Sequence, residues 1–198
     1  MINISQIRER SKQILQGLSP LLTYHSLDHT LSVVDSCLNI AAHENIENPN
    51  DLLILEAAAW LHDSGFLRTY HEHEIASCAI VQEMLPEAGA TSKEIDKICK
   101  LIMGTRIPQQ PSDHLGFILC DADLDYLGGP DFFPIAESLR QEWKSHGLLQ
   151  SDEAFIQSEI YFLTQHRYFT HFSQQHREPV KRMHLKNLML TQRQKQTV

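Results

Sequence analysis

Residues 52–65 read LLILEAAAWLHDSG. Through Leu61 only Glu56 interrupts a run that is apolar on every side of a helix, and such a helix belongs at the centre of a bundle. The run ends on His62-Asp63, after which Ser64-Gly65 stops the helix. An imidazole and a carboxylate at the end of a buried helix need partners, because burying either one unpaired is unfavourable. A divalent cation satisfies both, since neutral imidazole and ionised carboxylate are ordinary ligands.

Outward from this segment the helical period recurs in both directions. Apolar spacing predicts helices over 2–18 and 22–42, separated by Ser19-Pro20. Asn48-Pro49-Asn50-Asp51 is a loop that caps the central helix. Further helices are expected from Glu72 to Leu85, from a capping box at Thr91-Ser92-Lys93-Glu94 to Gly104, and from Ser112 to Leu127. Three more follow, over Phe132–Ser145, over Glu153–His171 and after Pro179. No stretch carries a strand or hairpin signal, and no repeat or linker divides the chain. The expectation is one all-α domain over 1–198, a bundle of roughly eight helices with its core over about 22–172.

The 198 residues carry a formal charge of −8, which excludes a generic nucleic-acid binder. The exception is 173–198, where Arg177, Lys181, Arg182, Lys186, Arg193 and Lys195 face the single acid Glu178. This segment reads as a basic helix or tail, a solvated face with a frayed end. Cys37, Cys78, Cys99 and Cys120 form no CxxC pair and sit in apolar periodic segments, as core residues of a reducing compartment do. With neither a signal peptide at the N-terminus nor an apolar run of membrane-spanning length, the expected location is the cytoplasm.

Two other places join His62-Asp63. In Tyr24-His25-Ser26-Leu27-Asp28-His29 the histidines are four apart, so on a helix beginning at Leu22 they share one face. In Cys120-Asp121-Ala122-Asp123-Leu124-Asp125 three acids lie along an apolar helix. Residues two apart point about 200° from each other, so Asp121 and Asp123 cannot both reach one ion. The apolar face leaves Asp123 nearer the core than Asp121, with Asp125 flanking that face on the other side, so periodicity does not settle the choice. Taken singly, each of these places has an ordinary structural reading; their joint occurrence in apolar helices points to a site.

In this order, His29, His62-Asp63 and Asp123 resemble the H…HD…D signature of the HD superfamily of metal-dependent phosphohydrolases. The resemblance extends over Tyr24 to Trp143. YHSLDHTLSVV is similar to a YHxxxHxxxVV opening and AAAWLHDSGF to AAxxHDxG, while HEIAS, DADLDYLG, LIMGT and LRQEW match a bacterial subgroup. What it implies is a metal held by His29, His62, Asp63 and Asp123, the last ligand following a small residue, as Asp123 follows Ala122. It implies hydrolysis of a phosphate ester or anhydride, with a nucleotide as the expected carrier, by a water activated on the metal. Asp63 would also orient that water, and His25 would protonate the leaving oxygen.

His73 and Glu74 are the candidates for a second metal, with His71 a competitor. Arg106, Arg140 and Lys144 are the candidates for phosphate contacts, with Arg68 a further one. N/O ligation without thiolates argues against a finger-type zinc and leaves Mn²⁺, Mg²⁺, Fe²⁺, Co²⁺, Ni²⁺ and Zn²⁺ all compatible. The implied partner is a small phosphorylated molecule, with neither membrane nor nucleic acid expected, and self-association is left open. SGFLRTYH lacks the HDxxE glutamate of 5′-nucleotidase relatives, and the HHExxxGxGYP motif of cyclic di-GMP hydrolases is absent, which argues against those two substrates. The alternative is a catalytically silent HD domain that binds a nucleotide or metal and signals to a partner. An intact ligand set speaks against it.

Overall fold

In the computed structural model, which describes residues 2–196 and the side chains of 2–194, the 52–61 run forms all of helix α3 (Pro49–Leu61) after its first three residues. Asn48 caps it by accepting from the Asn50 N–H, and Pro49 occupies the first turn, where its missing donor is not needed. Every residue from Ile54 to Leu61 is buried. Around α3 lie α1 (Ile4–Leu15), α2 (Leu27–His43), α5 (Ser92–Thr105) and α6 (His114–Asp123), with α4 (His73–Met84) packed on α5. Leu55, Leu61, Ile98, Ile102 and Leu119 meet in this core. Glu56, the one acid of the run, is answered by Arg8 at 2.5 and 2.9 Å and by the Trp60 indole N–H at 3.2 Å.

A smaller cluster forms a second layer. Leu124, Leu127, Phe132, Leu163 and Tyr168 gather α7 (Phe132–Ser145), α8 (Asp152–Gln165) and α10 (Glu178–Gln196), with the short α9 (His171–His176) between the last two. Among the described residues there are ten α-helices and two 3₁₀ turns, Ser64–Leu67 and Asp125–Gly128, slightly more than the eight helices expected. The four cysteines are free, and among the described residues no helix is long and apolar enough to cross a membrane.

Three expectations are corrected. Helix α2 begins at Leu27, five residues later than the periodicity suggested, because the Ser26 side chain caps it by accepting from the His29 N–H at 3.3 Å. The helix expected over 153–171 breaks after Gln165, and Thr170 caps a new one. The basic C-terminal segment is also more than a solvated tail. Lys181 is buried, donating to the His166 carbonyl at 2.7 Å and to Glu178 at 2.8 Å, and Arg177 grips both Asp125 oxygens at 2.6 and 3.0 Å. Residues 1, 197 and 198 of that single expected domain lie outside the described residues.

Candidate metal centre

Four polar side chains converge where three helix termini meet. His29 comes from the first turn of α2, His62 and Asp63 follow the last residue of α3, and Asp123 is the last residue of α6. Their atoms form a closed ring. His29 Nε2 lies 3.3 Å from Asp63 Oδ2 and 3.3 Å from Asp123 Oδ1, and His62 Nε2 lies 3.3 and 3.5 Å from the same two oxygens.

These contacts are not hydrogen bonds. His29 Nε2, His62 Nε2 and Asp63 Oδ2 are buried and without a hydrogen-bond partner. Donor atoms about 2.1 Å from a shared ion stand about 3.0–3.4 Å apart, so the ring has the dimensions of a coordination shell. The His29, His62 and Asp123 donors also lie within 4.8 Å of one another. The residues therefore fit a divalent ion, and fit it better than they fit each other.

The surroundings aim these atoms. His62 Nδ1 lies 2.9 Å from the Ala59 carbonyl, which can only accept, so Nδ1 carries the proton and Nε2 presents its lone pair to the ring. Ser77 donates to the His62 carbonyl at 2.6 Å and accepts from the Gly65 N–H at 2.7 Å. A Cβ on Gly65 would stand 1.9 Å from the His73 carbonyl oxygen. The glycine of HDSG and the serine of HEIAS thus lock α4 against the end of α3. This brings His73 Nε2 to 3.3 Å from Asp63 Oδ1, the oxygen not used in the ring, with Glu74 3.6 Å from the same imidazole. His71 is exposed.

Charge is balanced inside the ring. Burial by itself would raise the Asp63 carboxyl, but the imidazoles of His62, His29 and His73 beside it hold it well below the carboxylate range. Asp123, likewise opposed by burial, is held at about 2 by His29 and His62. The two imidazoles are raised above the usual histidine value, the carboxylates outweighing burial.

The three acids of 121–125 have separate roles. Asp121 is fully buried, so the expectation that Asp123 lies nearer the core is wrong. Its carboxyl accepts from the Phe169 and Thr170 N–H groups, both at 2.8 Å, and from the Thr170 hydroxyl at 2.6 Å. These donors come from the segment between α8 and α9, which the periodicity of α6 does not reveal. Asp123 faces the ring, and Asp125 pairs with Arg177 and accepts from Ser36 at 3.1 Å.

His25 is also placed differently from its expectation. It precedes the Ser26 cap and is not on the helix of His29. Its Nδ1 lies 2.5 Å from Glu142, and its ring stacks on Phe66 at 4.1 Å. Glu142, on α7, is wholly buried and also accepts from the Tyr24 and His25 backbone N–H groups and the Tyr70 hydroxyl. Burial opposes its ionisation, yet the bonds from His25 and the backbone outweigh this and hold it below the usual carboxylate value. Glu142 lies within LRQEW, and its only signal in the sequence is an acid on the inward face of an amphipathic helix.

His25, Asp63, His73 and Asp123 line a cavity of about 680 Å³, closed on the far side by residues of α7 and α8 such as Trp143 and Phe162. The expected phosphate contacts are not in its wall. Arg106 pairs with Glu72 at 3.1 Å beside an adjoining pocket that shares His73 and Trp143 with the cavity. Arg140 is held by Glu137 and Asp152 at 2.6–2.8 Å, Lys144 is exposed, and Arg68 pairs with Glu83.

A helical bundle that turns two imidazoles and two carboxylates onto one buried point defines a class of metal-binding helical domain. Comparison places the chain within it: the HD domain family matches residues 26–125, just over half of the sequence, and the chain belongs to that family. A crystal structure described as a predicted HD superfamily hydrolase from an uncultured Thermotogales bacterium has a similar fold. It is 20% identical, with a TM-score of 0.55 over 79% of this chain and 91% of the other. No curated protein matches the chain.

Proposed function

We propose that the chain is a metal-dependent phosphohydrolase acting on a small phosphorylated molecule, a nucleotide being the expected carrier. The observation that carries this reading is the ring of four donors, three of whose atoms are buried without a hydrogen-bond partner. His29, His62, Asp63 and Asp123 would hold one ion. His73 and Glu74, beside the second oxygen of Asp63, would help hold another. A bound divalent ion supplies Lewis-acid polarisation of a phosphoryl oxygen and lowers the pKa of water.

The remaining work falls to the chain's own groups. Glu142 accepts from His25 Nδ1, which fixes the tautomer and the orientation of the ring. The Nε2 of His25 is then the nitrogen that can deliver a proton to the departing oxygen. Phe66 holds the ring by stacking, and Tyr70 steadies Glu142. Arg106, the candidate cation beside the cavity, would have to leave Glu72 to meet a phosphate. Both Arg140 and Lys144 would act only through larger movements. Purified protein should contain a divalent metal by elemental analysis and release phosphate from some member of a nucleotide and phosphodiester panel. Protein that holds metal but hydrolyses no member contradicts the reading.

A further inference from the structure

One carboxyl in the cavity wall is not used by the proposed chemistry. Glu159, on α8, is 3% exposed, and its Oε2 is buried with no hydrogen-bond partner. Its position makes this unusual. Phe155, Glu159 and Leu163 follow one another at four-residue intervals as the buried stripe of α8, so Glu159 occupies a place that packing would fill with a leucine. A buried acceptor without a donor destabilises a fold. With burial as the cause, the carboxyl is pushed up to about 7.

The rest of the cavity indicates what would supply the missing donor. At one end are Asp63 and Asp123 of the candidate metal centre. Elsewhere the wall is mostly apolar or aromatic, with Leu124, Tyr126, Leu139, Trp143 and Phe162, and it also carries the neutral polar Thr105, Gln157 and Ser158. Among the lining residues are four acids, Asp63, Glu74, Asp123 and Glu159, and no Lys or Arg. Such a wall favours a flat or apolar body carrying a hydrogen-bond donor or a positive charge, and disfavours a second anionic group away from the metal.

We propose that Glu159 is a specificity-determining residue, accepting a hydrogen bond from a nitrogen donor on the organic part of the substrate. That donor is the amine of an aromatic base or an alkylamine. The inference rests on reading the cavity as the substrate site, and its test is independent of turnover. Calorimetric titration of the full-length protein would use phosphate-free pairs differing at one amine: adenosine against purine riboside, guanosine against inosine, and 2-phenylethylamine against 2-phenylethanol. In at least one pair the amine should bind at least tenfold tighter, and Glu159→Leu, which removes the acceptor, should reduce that preference to within twofold and leave the Tm unchanged or higher. Preference in a purine pair assigns the donor to a base, and preference in the third pair to an alkylamine. No preference in any pair, a preference that survives Glu159→Leu, or a lower Tm in Glu159→Leu would each overturn the proposal. Failure of hydrolysis would strike the functional reading and leave this result standing.

Discussion

The two walls of the cavity are built on different plans. On the metal side, polar atoms come from helix termini, where α2 starts and α3 and α6 end, and they are backed by the large core around α3. On the far side, α7 and α8 present the middles of helices, backed by the smaller cluster of Leu127, Phe132 and Leu163. The difference teaches a division of labour. Helix ends, where the chain turns and backbone groups are unspent, fix ligand atoms to within tenths of an ångström. Helix faces shape a volume. Changes on the metal wall should therefore abolish chemistry, and changes on the far wall should alter which molecule is accepted.

The largest effect should come from the ring. Asp63→Ala or His62→Ala should lose the metal and all measurable activity, because each leaves a buried site short of a donor and its geometry. If either variant kept full metal by elemental analysis, the metal wall would not be what its geometry implies.

Next in size is His25, which touches both walls, lying beside the ring and bonding Glu142 of α7. His25→Ala should keep metal and fold while slowing turnover by about 10²–10⁴-fold. The loss should be smaller for nitrophenyl esters, whose leaving group needs little protonation. Equal slowing for good and poor leaving groups would remove the proton-donor role.

The lock between HDSG and HEIAS gives a stability effect. Gly65→Ala forces a methyl group against the His73 carbonyl, and overpacking of this kind destabilises by about 3 kcal/mol. Denaturant unfolding of the variant should show it, and an unchanged midpoint would mean that α4 is free to move.

Glu142→Gln sharpens the comparison by pH. The Glu142 carboxyl is held below its usual value of 4.5 in the fold. Its contribution is therefore fully present above that value and is lost as pH falls through the lowered one. The variant should be less stable by about 1.5–3 kcal/mol at neutral pH, and the gap should close on acidification below pH 4.5. A gap independent of pH would show that the charge of Glu142 is not what joins α7 to the Tyr24-His25 segment.

Much of the metal wall was legible in the sequence; of the far wall the bounds of α7 were legible, and its inward acids were not. His62-Asp63 announced itself as a polar pair ending an apolar helix, and Phe132–Ser145 was bounded correctly because Gly128-Gly129-Pro130 precedes it and its apolar period is regular. The start of α2 was missed although Ser26 offered a cap, since apolar residues continue back to Leu22 and periodicity outweighed it. Asp121 and Asp123 could not be ranked from α6 itself, because the donors that bury Asp121 arrive from nearly fifty residues away. Glu142 and Glu159 read as ordinary acids of amphipathic helices. Glu142 owes its inward position to the Tyr24-His25 segment, which bonds it from more than a hundred residues away, and Glu159 lies on the face of α8 that lines the cavity.

The most direct test of the account is the metal content of two neighbouring variants, Asp121→Asn and Asp123→Asn. Both remove one negative charge from the same end of α6, so charge by itself cannot separate them. Asp123→Asn should lose the ion while remaining folded. Asp121→Asn should keep it, even if the weakened anchor to Phe169 and Thr170 lowers its stability. The reverse pattern, with metal retained in Asp123→Asn and lost in Asp121→Asn, would contradict the placement of the site.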